Sequence, residues 1–184
     1  MADDCEKTTV TSVCRSCLPI NKLFCIRASS NASRGKVSFL DILTIVCLGL
    51  LIGNEFAVSA FVNPVLRMLE DHAQARAISL FAMRLGRAMP FWYAFSLLLL
   101  ILEAIFRRHE YGLPLLIAAT TIWVIVIILT VLFLVPINNR MMRLDSNSFP
   151  EEAQREHKKW DTFHRFRVLA LIGALVCFLL AVRK

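Results

Sequence analysis

Glu55 is the first residue that asks for an explanation. It lies in LLIGNEFAVSAFVNP, residues 50–64, inside a run apolar enough to cross a membrane. An ionised carboxylate at mid-span costs roughly 2.5–3.5 kcal/mol on insertion scales, so it is expected to face other helices and to have a partner or a task. A second group of chemically capable residues lies near the C-terminus: Trp160, His164 and Arg167. On an ideal helix these three and Leu171 fall within about 60° of one another. A carboxylate and an imidazole can act as general base and acid. Arg and Asn side chains can hold a developing oxyanion or enolate. Asn63, Asn138, Asn139, Arg84 and Arg87 supply such donors.

These residues must be positioned by membrane helices. The 184-residue chain is 57% hydrophobic, above the roughly 45–50% of soluble domains. Apolar runs long enough for about 30 Å of hydrocarbon predict spans at about 39–62, 90–106, 113–135 and 166–182. The expected architecture is all-α: a four-helix transmembrane bundle over residues 37–184. A polar helix from about Arg67 to Ala88 is expected outside the membrane between spans one and two, with Pro90 in the first turn of span two or at a kink. Ser148 followed by Pro150, Glu151 and Glu152 reads as a helix start. That helix continues into span four and stands partly out of the membrane. With six glycines and no alternating ten-residue segments, a barrel is excluded.

The net charge of +7 sits in residues flanking apolar runs, where cations meet headgroups. No basic patch is interleaved with aromatics, so nucleic acid is not an expected partner. The lipid bilayer is. Lys and Arg are balanced between the two sets of loops, which leaves the orientation open, and homo-oligomerisation is left open too. Residues 1–36 read as a polar, mostly irregular tail with Cys5, Cys14, Cys17 and Cys25. Cys14 and Cys17 have CxxC spacing, but no second pair or nearby His makes a zinc set. Free thiols are the plainer reading, with Cys25 a palmitoylation candidate.

Four spans put loops one-to-two and three-to-four on the same side. Glu55, Ser59, Asn63, Arg84, Arg87, Asn138, Asn139, Trp160, His164 and Arg167 then gather at one end of the bundle. The other end holds Asp41, Glu103 and the Arg107-Arg108-His109 loop. Each residue also has a plain structural role. The arginines can snorkel to headgroups, Trp92 and Trp160 can anchor at the interface, the asparagines can cap span three, and Glu55 and His164 can tie helices together. Their convergence favours a site. His72, His157, His164 and Glu55 are the residues a metal would need, but no His pair has helical ligand spacing, so no metal is assigned and the question stays open. No nucleotide-phosphate or haem-attachment motif is present, and Cys47 and Cys177 lie in apolar helix, suited to inert packing.

Gly53-Asn54-Glu55-Phe56 with Pro64, then Gly86-Arg87-Ala88-Met89-Pro90, then Val135-Pro136-Ile137-Asn138-Asn139, then Trp160 with His164-Arg165-Phe166-Arg167 together resemble the anthrone oxygenase family, small four-span membrane proteins of fungal polyketide pathways and their relatives. The resemblance covers roughly residues 38–182. It implies a membrane-bound monooxygenase, an oxidoreductase that turns the central methylene of an anthrone into the carbonyl of an anthraquinone, with O2 as co-substrate and no apparent organic cofactor. Its partner would be a hydrophobic aromatic small molecule that can enter from the bilayer. Carried onto this chain, His164 or Glu55 is the base and Arg87 and Arg167 stabilise the anion. Asn138 and Asn139 bind substrate oxygens, with Asn63 and Arg84 beside them, and Trp160 stacks on the rings. Two other functions compete: a non-catalytic membrane scaffold or assembly protein, and a small-metabolite transporter.

Overall fold

The computed structural model describes residues 38–143 and 150–183. The tail cysteines and the Ser148 cap lie outside the described residues. Four long helices follow in order: α1, Phe39–Leu66; α2, Asp71–Phe106; α3, Leu113–Met141; and α4, Glu151–Val182. Each is long and apolar enough to cross a membrane. The connections at 67–70 and 107–112 are short, which makes sequential helices antiparallel neighbours. Each helix packs on the next, and α4 closes the bundle against α1; the most extensive contact is α3 on α4.

The expected polar helix is not a separate element. It is the first half of α2, which runs unbroken through Pro90. Pro90 lacks an N–H and its ring faces the carbonyl four residues back, that of Gly86. The sequence reading ended the helix there because polar composition and a proline coincide, but neither breaks a helix that packs along its length. Pro64 and Pro136 leave a larger mark. Both follow π-helical segments, Val58–Val62 in α1 and Thr130–Leu134 in α3. The carbonyls four residues before these prolines belong to Ala60 and Leu132, inside the π segments, where the wider turn makes room for the ring.

The main core joins all four helices through Leu48, Leu51, Tyr93, Leu100, Trp123, Leu171 and Phe178. Ala119, Ala174 and Ala181 are buried with them; small residues let membrane helices approach closely, where van der Waals packing rather than the hydrophobic effect holds them. Outward-facing Phe39, Leu50, Phe95, Leu132, Leu169 and Leu180 form the apolar surface that lipid covers. Gly112, which opens α3, lies against the end of α4. A Cβ at this position would stand 2.4 Å from the Ala181 carbonyl oxygen, and backbone cannot swing aside as a side chain does. Gly112→Ala is therefore expected to push α3 from α4 and cost about 1–3 kcal/mol, read as a lowered thermal midpoint in detergent.

At the end of the bundle where the chain enters α1, the ion pairs are saturated. Ser38 caps α1 in a capping box with Asp41. Arg107 donates to Asp41 Oδ1 at 2.6 Å, to Glu103 Oε2 at 3.1 Å and to Glu110 Oε2 at 2.8 Å. Thr44 adds a bond to Glu103 Oε1 at 3.3 Å. Asp41, Glu103 and Arg107 are all buried. The sequence reading expected little at this end; the structure puts a staple there that ties the start of α1 to the end of α2.

Candidate active site

At the opposite end, Glu55 lies in the last turn of the regular part of α1, before the π segment, and it is 2% exposed. Arg167 Nη2 donates to Glu55 Oε2 at 2.5 Å and to His164 Nδ1 at 2.7 Å. His164 Nε2 lies 3.1 Å from the Glu55 backbone carbonyl. A carbonyl only accepts and a guanidinium only donates, so the partners assign the neutral tautomer with its proton on Nε2 and its lone pair on Nδ1. Tyr93, from α2, donates to Glu55 Oε1 at 3.1 Å, and the Arg167 guanidinium lies 5.7 Å from the Tyr93 ring centre. Trp123 of α3 donates to the Tyr93 carbonyl at 3.3 Å. Groups from α1, α2 and α4 thus meet on one buried carboxylate, and α3 is tied to it through the Tyr93 backbone. The pair of charges needed to satisfy Glu55 is supplied inside the bundle, as burial demands.

One turn nearer the connecting loops is a second carboxylate, Asp161. Asn63 Nδ2 donates to its Oδ1 at 2.7 Å. Arg67 pairs with its Oδ2, and Arg165 reaches the same oxygen at 3.1 Å. The α4 face carrying these groups reads His157, Trp160, Asp161, His164, Val168 and Leu171, a spacing of three and four that places them on one stripe.

Along that stripe three rings lie nearly parallel. Trp160 stacks on His164 with centroids 4.6 Å apart and on His157 at 6.1 Å. Trp160 and His157 form one wall of a half-open groove. Its other walls are Val58 and Val62 of the π segment, Ile78, Phe81, Ala82 and Leu85 of α2, and Met141 of α3. Asn63 and Asn138 are its polar points. Asn138 is held by a bond to the Ala82 carbonyl at 3.3 Å, and Gly86 admits it closely: a Cβ at Gly86 would lie 3.0 Å from Asn138 Nδ2. An apolar cleft with a few fixed polar groups suits a flat, hydrophobic ligand.

The sequence-predicted residues divide cleanly. Glu55, His164 and Arg167 are in mutual contact, while Asn63, Asn138 and Trp160 line the adjoining groove. Arg84, Arg87 and Asn139 are exposed, and none makes a hydrogen bond or ion pair with the buried cluster. The roles expected of Arg84, Arg87 and Asn139 find no structural footing, because a helical wheel gives the direction of a side chain but not how far its neighbour stands. Tyr93 and Asp161 were missed. Asp161 lies at the edge of that face, about 60° from His164 on an ideal helix, and is a second carboxylate beside it in the sequence; Tyr93 had no signal beyond being the one phenol in span two.

Four membrane-crossing helices around a buried polar site define a multi-pass integral membrane protein. A family model described as anthrone oxygenase matches residues 77–177, more than half of the chain. The chain belongs to the anthrone oxygenase family. The matched stretch contains Asn138, Trp160, His164 and Arg167 and begins after Glu55 and Asn63. No curated protein and no solved structure matches the chain.

Proposed function

We propose that this protein oxidises the methylene group of an anthrone-type aromatic polyketide to a carbonyl, using O2. The observation that carries the reading is the groove: an apolar cleft at the end of a membrane bundle, walled by an indole and an imidazole and furnished with two fixed amides, in a chain of this family. A base takes one methylene proton. The anion is spread over the fused rings, and in this reading substrate oxygens take the second N–H of the Asn63 and Asn138 amides, whose first is held by Asp161 and by the Ala82 carbonyl. The carbanion electrons reduce O2 as the new C–O bond forms, and protonation gives a hydroperoxide. Loss of water then breaks the O–O bond and the second C–H bond. One oxygen atom stays as the carbonyl and the other leaves as water.

Both carboxylate oxygens of Glu55 and both ring nitrogens of His164 are engaged by Tyr93, Arg167 and the Glu55 carbonyl, and Arg167 Nη2 is shared between the two. In this reading they hold α4, and with it Trp160, in place behind the groove. No organic cofactor is assigned, and O2 is the co-substrate. The test is oxygen uptake by the purified protein with 1,8-dihydroxyanthrone, with quinone followed by absorbance and a chelator-treated sample alongside. The expected result is one O2 consumed per quinone formed. A well-folded sample that neither consumes O2 nor forms quinone overturns the proposal; tight binding without uptake would instead favour a transport or carrier role.

A further inference from the structure

His157 is the buried histidine that the Glu55 cluster does not engage. It is 6% exposed and lines the groove. Its Nε2 is buried and has no hydrogen-bond partner, although buried imidazole nitrogens are nearly always paired. Its ring is not loose: it stacks on Trp160 with an interplanar angle of 7°, and Trp160 in turn stacks on the anchored His164. His164 offers no comparable atom, since one nitrogen faces the Glu55 carbonyl and the other Arg167. A fixed, buried, unpartnered nitrogen in the wall of an apolar groove fits a site whose partner arrives with the ligand.

Building on the oxygenase reading, we propose that His157, rather than His164 or Glu55, is the general base: its Nε2 takes the methylene proton of the bound anthrone. The C–H bond breaks, its electron pair passes into the fused ring system, and the proton resides on His157 as an imidazolium. It returns to the peroxide oxygen once O2 has added. Trp160 fixes the imidazole plane, and Asn138, across the groove, fixes the substrate.

The variant that separates chemistry from packing is His157→Phe, which keeps a planar ring on Trp160 and removes both nitrogens. Two readouts are needed. One is oxygen uptake with 1,8-dihydroxyanthrone. The other is anaerobic exchange of its methylene hydrogens in D2O, which reports proton abstraction without O2. General-base removal costs about 10²–10⁴-fold, so His157→Phe is expected to lose at least about 100-fold in both. Its thermal midpoint and its binding of the corresponding anthraquinone should stay near wild type. Wild-type kcat/KM should rise with pH as an imidazole is deprotonated, and the variant should lack that rise. Full exchange and uptake in His157→Phe, beside an active wild type, would overturn the assignment and leave the oxygenase reading intact. A wild type inactive in both assays would overturn both.

Discussion

Arg107→Met is expected to be among the most damaging single substitutions in this chain. Asp41 and Glu103 are buried at 3% and 1% exposure and share that one guanidinium. Methionine keeps much of the volume but removes every donor. Two carboxylates would then face each other in a low-dielectric setting with only Ser38 and Thr44 to donate. Breaking a buried ion pair by removing one partner costs about 3–5 kcal/mol. Part of that returns if the carboxyls take up protons, so the variant should be least impaired at low pH. The measurement is the thermal midpoint in detergent across pH. A midpoint unchanged at neutral pH would show that the staple is not what holds α1 to the end of α2. Any surviving protein should bind ligand normally, because this network lies at the end of the bundle away from the groove.

Glu55→Leu should be comparably costly, and its rescue more informative. The substitution strands the Arg167 guanidinium, already burying an unpartnered Nε, and removes the acceptor of the Tyr93 hydroxyl. A loss of about 3–5 kcal/mol is again expected. Adding Arg167→Met removes the stranded charge, and replacing a buried pair by apolar groups is often neutral or stabilising. The double variant should thus be more stable than Glu55→Leu alone, with a coupling energy of about 0.5–3 kcal/mol. Oxygen uptake distinguishes two roles. If the cluster only holds Trp160 and His164 in place, the stable double variant keeps part of the activity. If Glu55 or Arg167 takes part in chemistry, stability returns and activity does not.

The two ends of the bundle differ in how far the sequence disclosed them. The spans were legible because a helix in lipid must satisfy its own backbone and be apolar for its full crossing. Their ends were less so: α1 and α3 continue past the predicted limits to Leu66 and Met141, running on through Pro64 and Pro136 behind π segments. The polar stripe from Glu55 to Asn63 and the Trp160–His164–Arg167 face were correctly placed at one end, because helical periodicity fixes faces. What periodicity cannot fix is which donor meets which acceptor. Arg167 rather than Arg84 or Arg87 reaches Glu55. His164, the obvious base on a wheel, is consumed by the cluster, while His157, about two turns earlier, keeps an unpartnered nitrogen. Those distinctions depend on distances between helices, which no single segment encodes.

The π segment of α1 has a consequence for chain length. It separates Glu55, bound to Arg167, from Asn63, bound to Asp161. A π turn holds one more residue than the α turn it replaces. Removing that extra residue, for instance Ala60, would restore ordinary winding and leave the two ends of the turn, and so Glu55 and Asn63, on the faces they now hold. The same deletion in the regularly wound part of α1 would draw everything beyond it back by about 1.5 Å and turn it by about 100°, swinging Asn63 away from Asp161 and the groove. The π segment is therefore where α1 can lose a residue without uncoupling the wall of the cleft from the buried carboxylate, at the cost of the room it gives the Pro64 ring.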